Sequence, residues 1–316
     1  MTTATGTSTL SLALEQLRPL RETIWSAQPA SYPNTLPSHT GLDAASYVLT
    51  APDQIPLFLK LYHPGALGFD FVQASQAASQ AGGLGIGPTL LAADAVLGAM
   101  LFDYRAPPWR TASGVDFDTP TLTAETARLL RRWHQSAPLD TNAPSSTDWA
   151  ERIEAVFGQR LAQVMPAWGA LRVWTGRIAQ ALAAAGQDIV PLHGEIYMSN
   201  LLIGPNGGLA LVDFDHAANG EAFADLGALA LDVCDFDRDY DQLVEAYAGQ
   251  VRRDLVARTK LHAILEDFRW GCLMLLQHQD RQRRSVSDLL GYGRMRLSRC
   301  LVNLQAFDVA TLMGDL

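Results

Sequence analysis

His193, Glu195, Asn200, Asp213 and Asp215 fall within one otherwise mostly apolar stretch, PLHGEIYMSNLLIGPNGGLALVDFD, spanning Pro191 to Asp215. A carboxylate in such a place can accept a proton, and an amide oxygen together with a second carboxylate can hold a hard divalent cation. The elements that would position these groups are short. Ile189–Leu192 is an apolar run ending on His193-Gly194-Glu195. Asn200–Ile203 then predicts a strand, Pro205–Gly208 its turn and Leu209–Val212 the returning strand, with Asp213 and Asp215 flanking Phe214 at the exit. The bland alternative is an acidic β-hairpin with no chemistry.

The spacing argues for chemistry. A carboxylate, an Asn five residues on and an Asp after the next pair of strands resembles the catalytic segment of protein-kinase-like enzymes. The form H-G-(acid)-x-x-x-x-N, carried here by His193, Gly194, Glu195 and Asn200, resembles more specifically the aminoglycoside phosphotransferase and choline/ethanolamine kinase family. The resemblance implies a γ-phosphoryl transfer from ATP or GTP to a hydroxyl of a small molecule, an amino alcohol or an aminoglycoside-like compound being the candidates. Glu195 would accept the hydroxyl proton, and Asn200 and Asp213 would hold Mg²⁺ on the nucleotide phosphates. The family's catalytic acid is Asp. Glu195 is longer by one methylene, about 1.5 Å, on a scale where errors of about 1 Å can cost on the order of 10²-fold in rate. The alternative function is therefore a pseudoenzyme that binds nucleotide or ligand without efficient turnover.

The chain contains only two lysines, Lys60 and Lys260. Lys60 lies in the apolar run LFLKLY, where the resemblance places its compact ammonium against the nucleotide phosphates; the alternative is an edge-strand lysine facing solvent. Thr40–Ser46 is expected as the loop over the phosphates, with Ser46 among the nucleotide-binding residues. Asp70–Gly82 predicts a helix with Phe71, Ala74, Ala77 and Ala78 on one face. In the family this helix carries a Glu that pairs with the strand lysine, and the matching position is Gln76, which supplies no charge.

Elsewhere the pattern predicts an N-terminal helix over Leu10–Trp25, a loop over Pro29–His39, and strands at Tyr47–Leu49, Ile55–Tyr62, Gly87–Ala93 and Gly98–Phe102. Asp103–Pro108 breaks the pattern and is expected as a hinge. Helices are predicted over Thr121–His134, Trp149–Phe157, Leu171–Ala185, Gly220–Cys234 and much of the final third. Ala224-Asp225-Leu226-Gly227 matches a family motif whose Asp braces the catalytic loop. His193 is expected as a buried organiser of that loop, the alternative being a metal ligand beside Glu195; His134 is read as a core or cap histidine. In the final third, Trp270 and Tyr292 match two rings of the family's quaternary-ammonium cage, with Leu273 where a third ring is expected; the alternative is that both are core aromatics. Asp215, Asp235, Asp237, Asp239, Asp241, Glu266 and Asp267 are candidates to supply charge on the substrate side.

The resulting fold expectation is α+β: a two-lobed, protein-kinase-like chain with a small sheet-plus-helix N-lobe (1–102), a hinge (103–108) and a larger, mainly helical C-lobe (109–316). The length of 316 residues accommodates two lobes, and the 48% apolar content is that of a globular protein. A formal charge of −9 argues against a general binder of nucleic acid or anionic membranes. Cys234, Cys272 and Cys300 are isolated, which predicts free thiols in a reducing compartment rather than a zinc site or a disulfide framework. With neither a signal-peptide pattern nor a run of about 20 apolar residues, the expected location is the cytoplasm.

Overall fold

A computed structural model describes residues 8–32, 34, 41–63, 67–279 and 288–316. Thr40 of the expected phosphate loop and much of Pro29–His39 lie outside the described residues. The first helix, α1, covers only Thr9–Gln16, because Pro19 turns the chain into a 3₁₀ turn over Arg18–Leu20. Five strands then build an antiparallel sheet: β1 (Ser26–Pro29), β2 (Ala44–Thr50), β3 (Leu57–Tyr62), β4 (Leu90–Asp94) and β5 (Ala99–Asp103), in the order β1-β2-β3-β5-β4. Strand β1 lies just past the expected helix, which ends at Trp25, and reaches the first residue of the expected Pro29–His39 loop.

Strand periodicity decides what this sheet offers to each side. Leu49, Leu59, Leu61 and Leu101 point to one face and pack with Ala13, Leu17 and Leu20. Ala44, Tyr62 and Met100 point to the other, where they meet Ala74 of α2 (Phe71–Gly83). Register places Ser46 opposite Lys60, and Lys60 opposite Met100. A slip of one residue would move Lys60 into the leucine layer.

The rest of the chain is mostly helical. Strand β6 (Arg110–Thr111) is followed by α3 (Pro120–His134), α4 (Ser146–Phe157), α5 (Leu161–Val164) and α6 (Trp168–Ala184). Next come β7 (Ile189–Leu192), β8 (Leu201–Ile203), β9 (Leu209–Leu211) and β10 (Ala218–Glu221). The chain closes with α7 (Ala222–Val233), α8 (Asp237–Ala248), α9 (Arg253–Gln277), α10 (Leu289–Ala306) and α11 (Val309–Gly314). The hairpin β8–β9 forms as the sequence pattern requires and gains β6 as a third strand, whereas β7 pairs with β10. Helix α9 runs through the middle of the helical lobe, its residues from Leu261 to Leu276 contributing heavily to the main core. Cys272 and Cys300 are buried, Cys234 is half-buried, and all three are free thiols. No helix among the described residues is long and apolar enough to cross a membrane.

Candidate active site

The turn between β7 and β8 is shaped by its backbone. Gly194 has φ +78°, and a Cβ there would lie 2.1 Å from the His216 carbonyl oxygen, so only glycine fits between His193 and Glu195. Asp225, on α7, accepts from the backbone N–H of His193 at 2.6 Å and of Gly194 at 2.9 Å. His134 Nε2 lies 3.0 Å from the same carboxylate and Tyr247 Oη 2.7 Å from His134 Nδ1, which makes His134 part of the brace. His193 donates from Nε2 to the Val212 carbonyl at 2.9 Å and accepts the Glu195 N–H at Nδ1, 3.3 Å away. Those two bonds define the neutral Nε2–H tautomer, and burial lowers the ring's pKa in the same sense. Both ring nitrogens are thus occupied by backbone groups, which leaves no lone pair for a metal.

Glu195 and Asn200 stand at the two ends of the next turn. The Asn200 side chain donates to the Glu195 carbonyl at 2.9 Å, which fixes the amide so that its oxygen is the end available to a cation. Asp213, just past β9, has φ +69°, a left-handed backbone unusual for any residue but glycine and a frequent mark of functional sites. Asn200 and Asp213 line the same cleft and together offer hard oxygen donors, a set that suits Mg²⁺.

Lys60 reaches this site across the lobes. Its ammonium donates to Asp213 Oδ1 and to Asp215 Oδ2, both at 2.7 Å. Burial works against the charge on Lys60, yet the two carboxylates outweigh it and hold its pKa above the ordinary value. Two acids on one cation diverge: burial is opposed at Asp213 by Lys60, which keeps it low, while burial and the Asp213 charge push Asp215 up. Tyr62, on the same strand face as Lys60, donates to Asp215 Oδ1 at 2.7 Å. Asp215 is thereby tied into the lysine site by two donors.

Burial pushes the Glu195 carboxyl up to about 8, with the Asp213 and Asp43 charges adding to the rise and those of His216 and Lys60 opposing it. His216 is itself buried; burial lowers its pKa, but Asp43 and Glu195 raise it further than burial lowers it. Its Nε2 lies 3.8 Å from Asp43 Oδ2. Sequence reasoning missed Asp43, Tyr62 and His216. Tyr62 was visible as the i+2 partner of Lys60 in LFLKLY, and His216 directly follows the DFD segment.

The cleft that joins these groups measures about 420 Å³. Ser46, Lys60, Glu195, Asn200, Asp213 and Asp215 supply polar groups to its lining. Val48, Phe58, Met100, Phe102 and Leu202 supply apolar ones, and Asp103, Tyr104 and Arg105 line it too.

The structure does not bring three of the expected residues into this cleft. Gln76 is not paired with Lys60, whose ammonium is held by Asp213 and Asp215, and its buried Oε1 lacks a hydrogen-bond partner; Gln73, one turn earlier, is the glutamine that crosses to the other lobe, donating to the Ala217 carbonyl at 3.4 Å. Trp270 and Tyr292 are core aromatics, 0% and 4% exposed. Trp270 donates from Nε1 to Glu266, and Tyr292 lies beside Arg296. The acids expected nearby are also engaged: Glu266 pairs with Arg269, Asp267 with Arg296 and Arg299, and the exposed Asp237 with Lys260.

A family model described as the phosphotransferase enzyme family (APH) matches residues 36–262. The chain belongs to that family. As a phosphotransferase of this family it acts on small molecules. Its fold is that of the kinases it resembles. A choline/ethanolamine kinase family protein from Mesorhizobium loti superposes with a TM-score of 0.75 at 20% identity, covering 96% of each chain. Choline kinase LicA from Streptococcus pneumoniae gives 0.76 at 17% identity, over 94% of this chain and 99% of the other. A spectinomycin phosphotransferase in complex with ADP and its antibiotic gives 0.56 at 13% identity, over 90% and 93%. No curated protein sequence matches the chain significantly.

Proposed function

We propose that this phosphotransferase moves the γ-phosphoryl group of ATP or GTP, bound with Mg²⁺, to a hydroxyl of a small molecule. The observation that carries the reading is that Lys60, Glu195, Asn200 and Asp213 line one cleft together with Val48, Phe58, Met100, Phe102 and Leu202, apolar side chains suited to a flat base. The neighbours' names agree: one holds ADP and spectinomycin, another GDP and kanamycin.

In this reading the roles follow from position and charge. The slot between the β2–β5 sheet and Leu202 takes the base, and Ser46 and Lys60 face the phosphates from the sheet. Lys60 releases Asp213 when anionic phosphate arrives, because the ammonium then has a second anion to hold. Asn200 and Asp213 would hold Mg²⁺, which supplies positive charge against the phosphate oxygens. Glu195 orients the acceptor hydroxyl and accepts its proton, and the raised pKa places that carboxyl close to the range in which a general base works best. Asp225 and His193 keep the turn rigid, which matters because positioning supplies most of the catalysis in phosphoryl transfer.

Thermal-shift titration with Mg·ATP and Mg·GTP tests the binding half. Mg²⁺-dependent stabilisation that disappears in Asp213→Ala is the expected result. A variant that responds like the parent would remove Asp213 from the site.

A further inference from the structure

Lys60 is a buried ammonium in the lining of the cleft, and a charge so placed needs a carboxylate beside it. Helix α2, which packs on the same face of the sheet, cannot supply one. Phe71–Gly83 contains neither Asp nor Glu, and the Asp70 carboxylate at its N-cap accepts from the Gln73 N–H at 3.0 Å. Gln76 offers only an amide, whose buried Oε1 has no hydrogen-bond partner. The compensating charge comes instead from the other lobe, where Asp213 Oδ1 and Asp215 Oδ2 each lie 2.7 Å from Lys60 Nζ.

The two carboxylates are held differently. The Asp213 side chain is 34% exposed and that of Asp215 only 9%. Asp215 spends its second oxygen, Oδ1, on the Tyr62 hydroxyl, which donates to it at 2.7 Å. The Tyr62 ring is fixed in turn, stacked on Phe69 at 4.3 Å between centroids and set edge-on to Phe71 at 5.8 Å. Lys60 Nζ lies 5.0 Å from the centroid of that same ring. Strand alternation puts Lys60 and Tyr62 two residues apart on one face of β3, so Asp215 bridges them with one oxygen for each donor. Asp213 has the looser hold, and it is the carboxylate whose oxygens turn to Mg²⁺ in the phosphotransferase reading. The two acids repel each other while both face Lys60, and a cation on Asp213 ends that repulsion. Asp215 is then the carboxylate left with the ammonium.

We propose that Asp215, steadied by Tyr62, is the positioning residue for Lys60: it holds the ammonium at the phosphate site from across the cleft after Asp213 turns to the metal, a task for which α2 offers no carboxylate. The proposal rests on the phosphotransferase reading above and adds to it what sets Lys60 in place.

The test uses the full chain, free of metal and nucleotide, and reads the rate at which N-acetoxysuccinimide acetylates each lysine, by peptide mass spectrometry. Lys60 and Lys260 are the only lysines, so Lys260, paired with Asp237, is the internal standard. Asp215→Asn, which keeps the shape, is expected to raise the Lys60 rate relative to Lys260 at least about tenfold, the lower end of what a hydrogen bond to a charged group is worth. Tyr62→Phe should raise it less, and Gln76→Ala should leave it at the parent level. A merely structural role for Asp215 would move both lysines or neither. Parent-level reactivity of Lys60 in Asp215→Asn overturns the proposal, as does a rise in Gln76→Ala equal to that in Asp215→Asn. Should Asp215→Asn not fold, as judged by circular dichroism, Tyr62→Phe decides, and a Lys60 rate unchanged from the parent overturns the proposal. A thermal-shift titration of Mg²⁺ at fixed ATP or GTP adds a second readout. Half-saturating Mg²⁺ in Asp215→Asn is expected to stay within about twofold of the parent, and a larger rise would make Asp215 a metal ligand and overturn the assignment. The same series separates the two claims. Nucleotide binding by a parent whose Lys60 ignores Asp215 sinks the positioning role alone, whereas no nucleotide response in the parent removes the reading beneath it.

Discussion

Replacing Glu195 with Gln should make the protein more stable and less active, and the gain in stability should grow with pH. The folded chain holds the Glu195 proton up to about pH 8, against 4.5 for an exposed carboxyl. Between those values the folded state binds more protons than the unfolded state, so stability attached to this group is fully present below about pH 4.5 and is lost as pH rises toward 8. Each pH unit in that window is worth about 1.4 kcal/mol. Between about pH 5.5 and about pH 7.5 the parent should therefore lose roughly 3 kcal/mol relative to Glu195→Gln, which keeps the shape and cannot ionise. For a chain of this size that is a divergence in melting temperature on the order of 5–10 °C. Nucleotide-free thermal or urea unfolding of both proteins at the two pH values measures it. In the catalytic direction, kcat/KM of the parent should rise with pH toward the same titration, and the Gln variant should fall by about 10²–10⁴-fold. Unfolding curves that run parallel across the pH window would refute the claim that Glu195 is a buried, costly carboxylate.

Lys60→Ala should weaken nucleotide-dependent stabilisation and slow turnover, whereas Lys260→Ala should leave nucleotide affinity unchanged, because Lys260 lies against Asp237, Tyr240 and Phe307 away from the cleft; equal nucleotide affinities in the two variants would contradict the site. Gly194→Ala forces a side chain into a left-handed position and onto the His216 carbonyl, and should cost at least about 3 kcal/mol by urea unfolding; a near-neutral result would mean that the turn is not held as described. Asp225→Ala strips the acceptor from two backbone N–H groups and from His134, so a loss of roughly 3 kcal/mol or more is expected, with slower turnover once folded.

The candidate catalytic turn could be picked out in the sequence because its parts are local. Glu195, Asn200 and Asp213 follow one another through a single hairpin, and their order survives translation into a string of letters. Lys60 was legible for a different reason, its rarity in an arginine-using chain inside an apolar run. What the string hid was contact between distant segments. Nothing local says that Asp43 meets His216, that β7 pairs with β10, or that Gln73 rather than Gln76 crosses between lobes: the first and last depend on how the lobes are set against each other, and the strand pairing on how the chain returns within the helical lobe. Trp270 and Tyr292 show a further limit. Aromatics at helical spacing fit a ligand cage and a packed core equally well, and the deciding fact was which cation lies on their faces. That signal was partly present: Arg296 stands four residues after Tyr292 on α10, one helical turn along the same face. The end of α1 was also readable from Pro19, whereas β1, a short edge strand with few apolar residues, carries little pattern of its own.

The central claim is that this cleft transfers a phosphoryl group, and the most direct measurement follows the group itself. Parent and Asp213→Ala proteins are incubated with γ-³²P-labelled ATP or GTP, Mg²⁺ and pooled amino alcohols, aminoglycosides and sugars, and the label is traced by chromatography. The account predicts label on a small-molecule acceptor with the parent, dependent on Mg²⁺ and on a low-molecular-weight hydroxyl compound, and a loss of at least about 10²-fold with Asp213→Ala. Nucleotide bound by the parent with no label reaching any acceptor, amines included, would contradict it and leave a nucleotide-binding pseudoenzyme in its place.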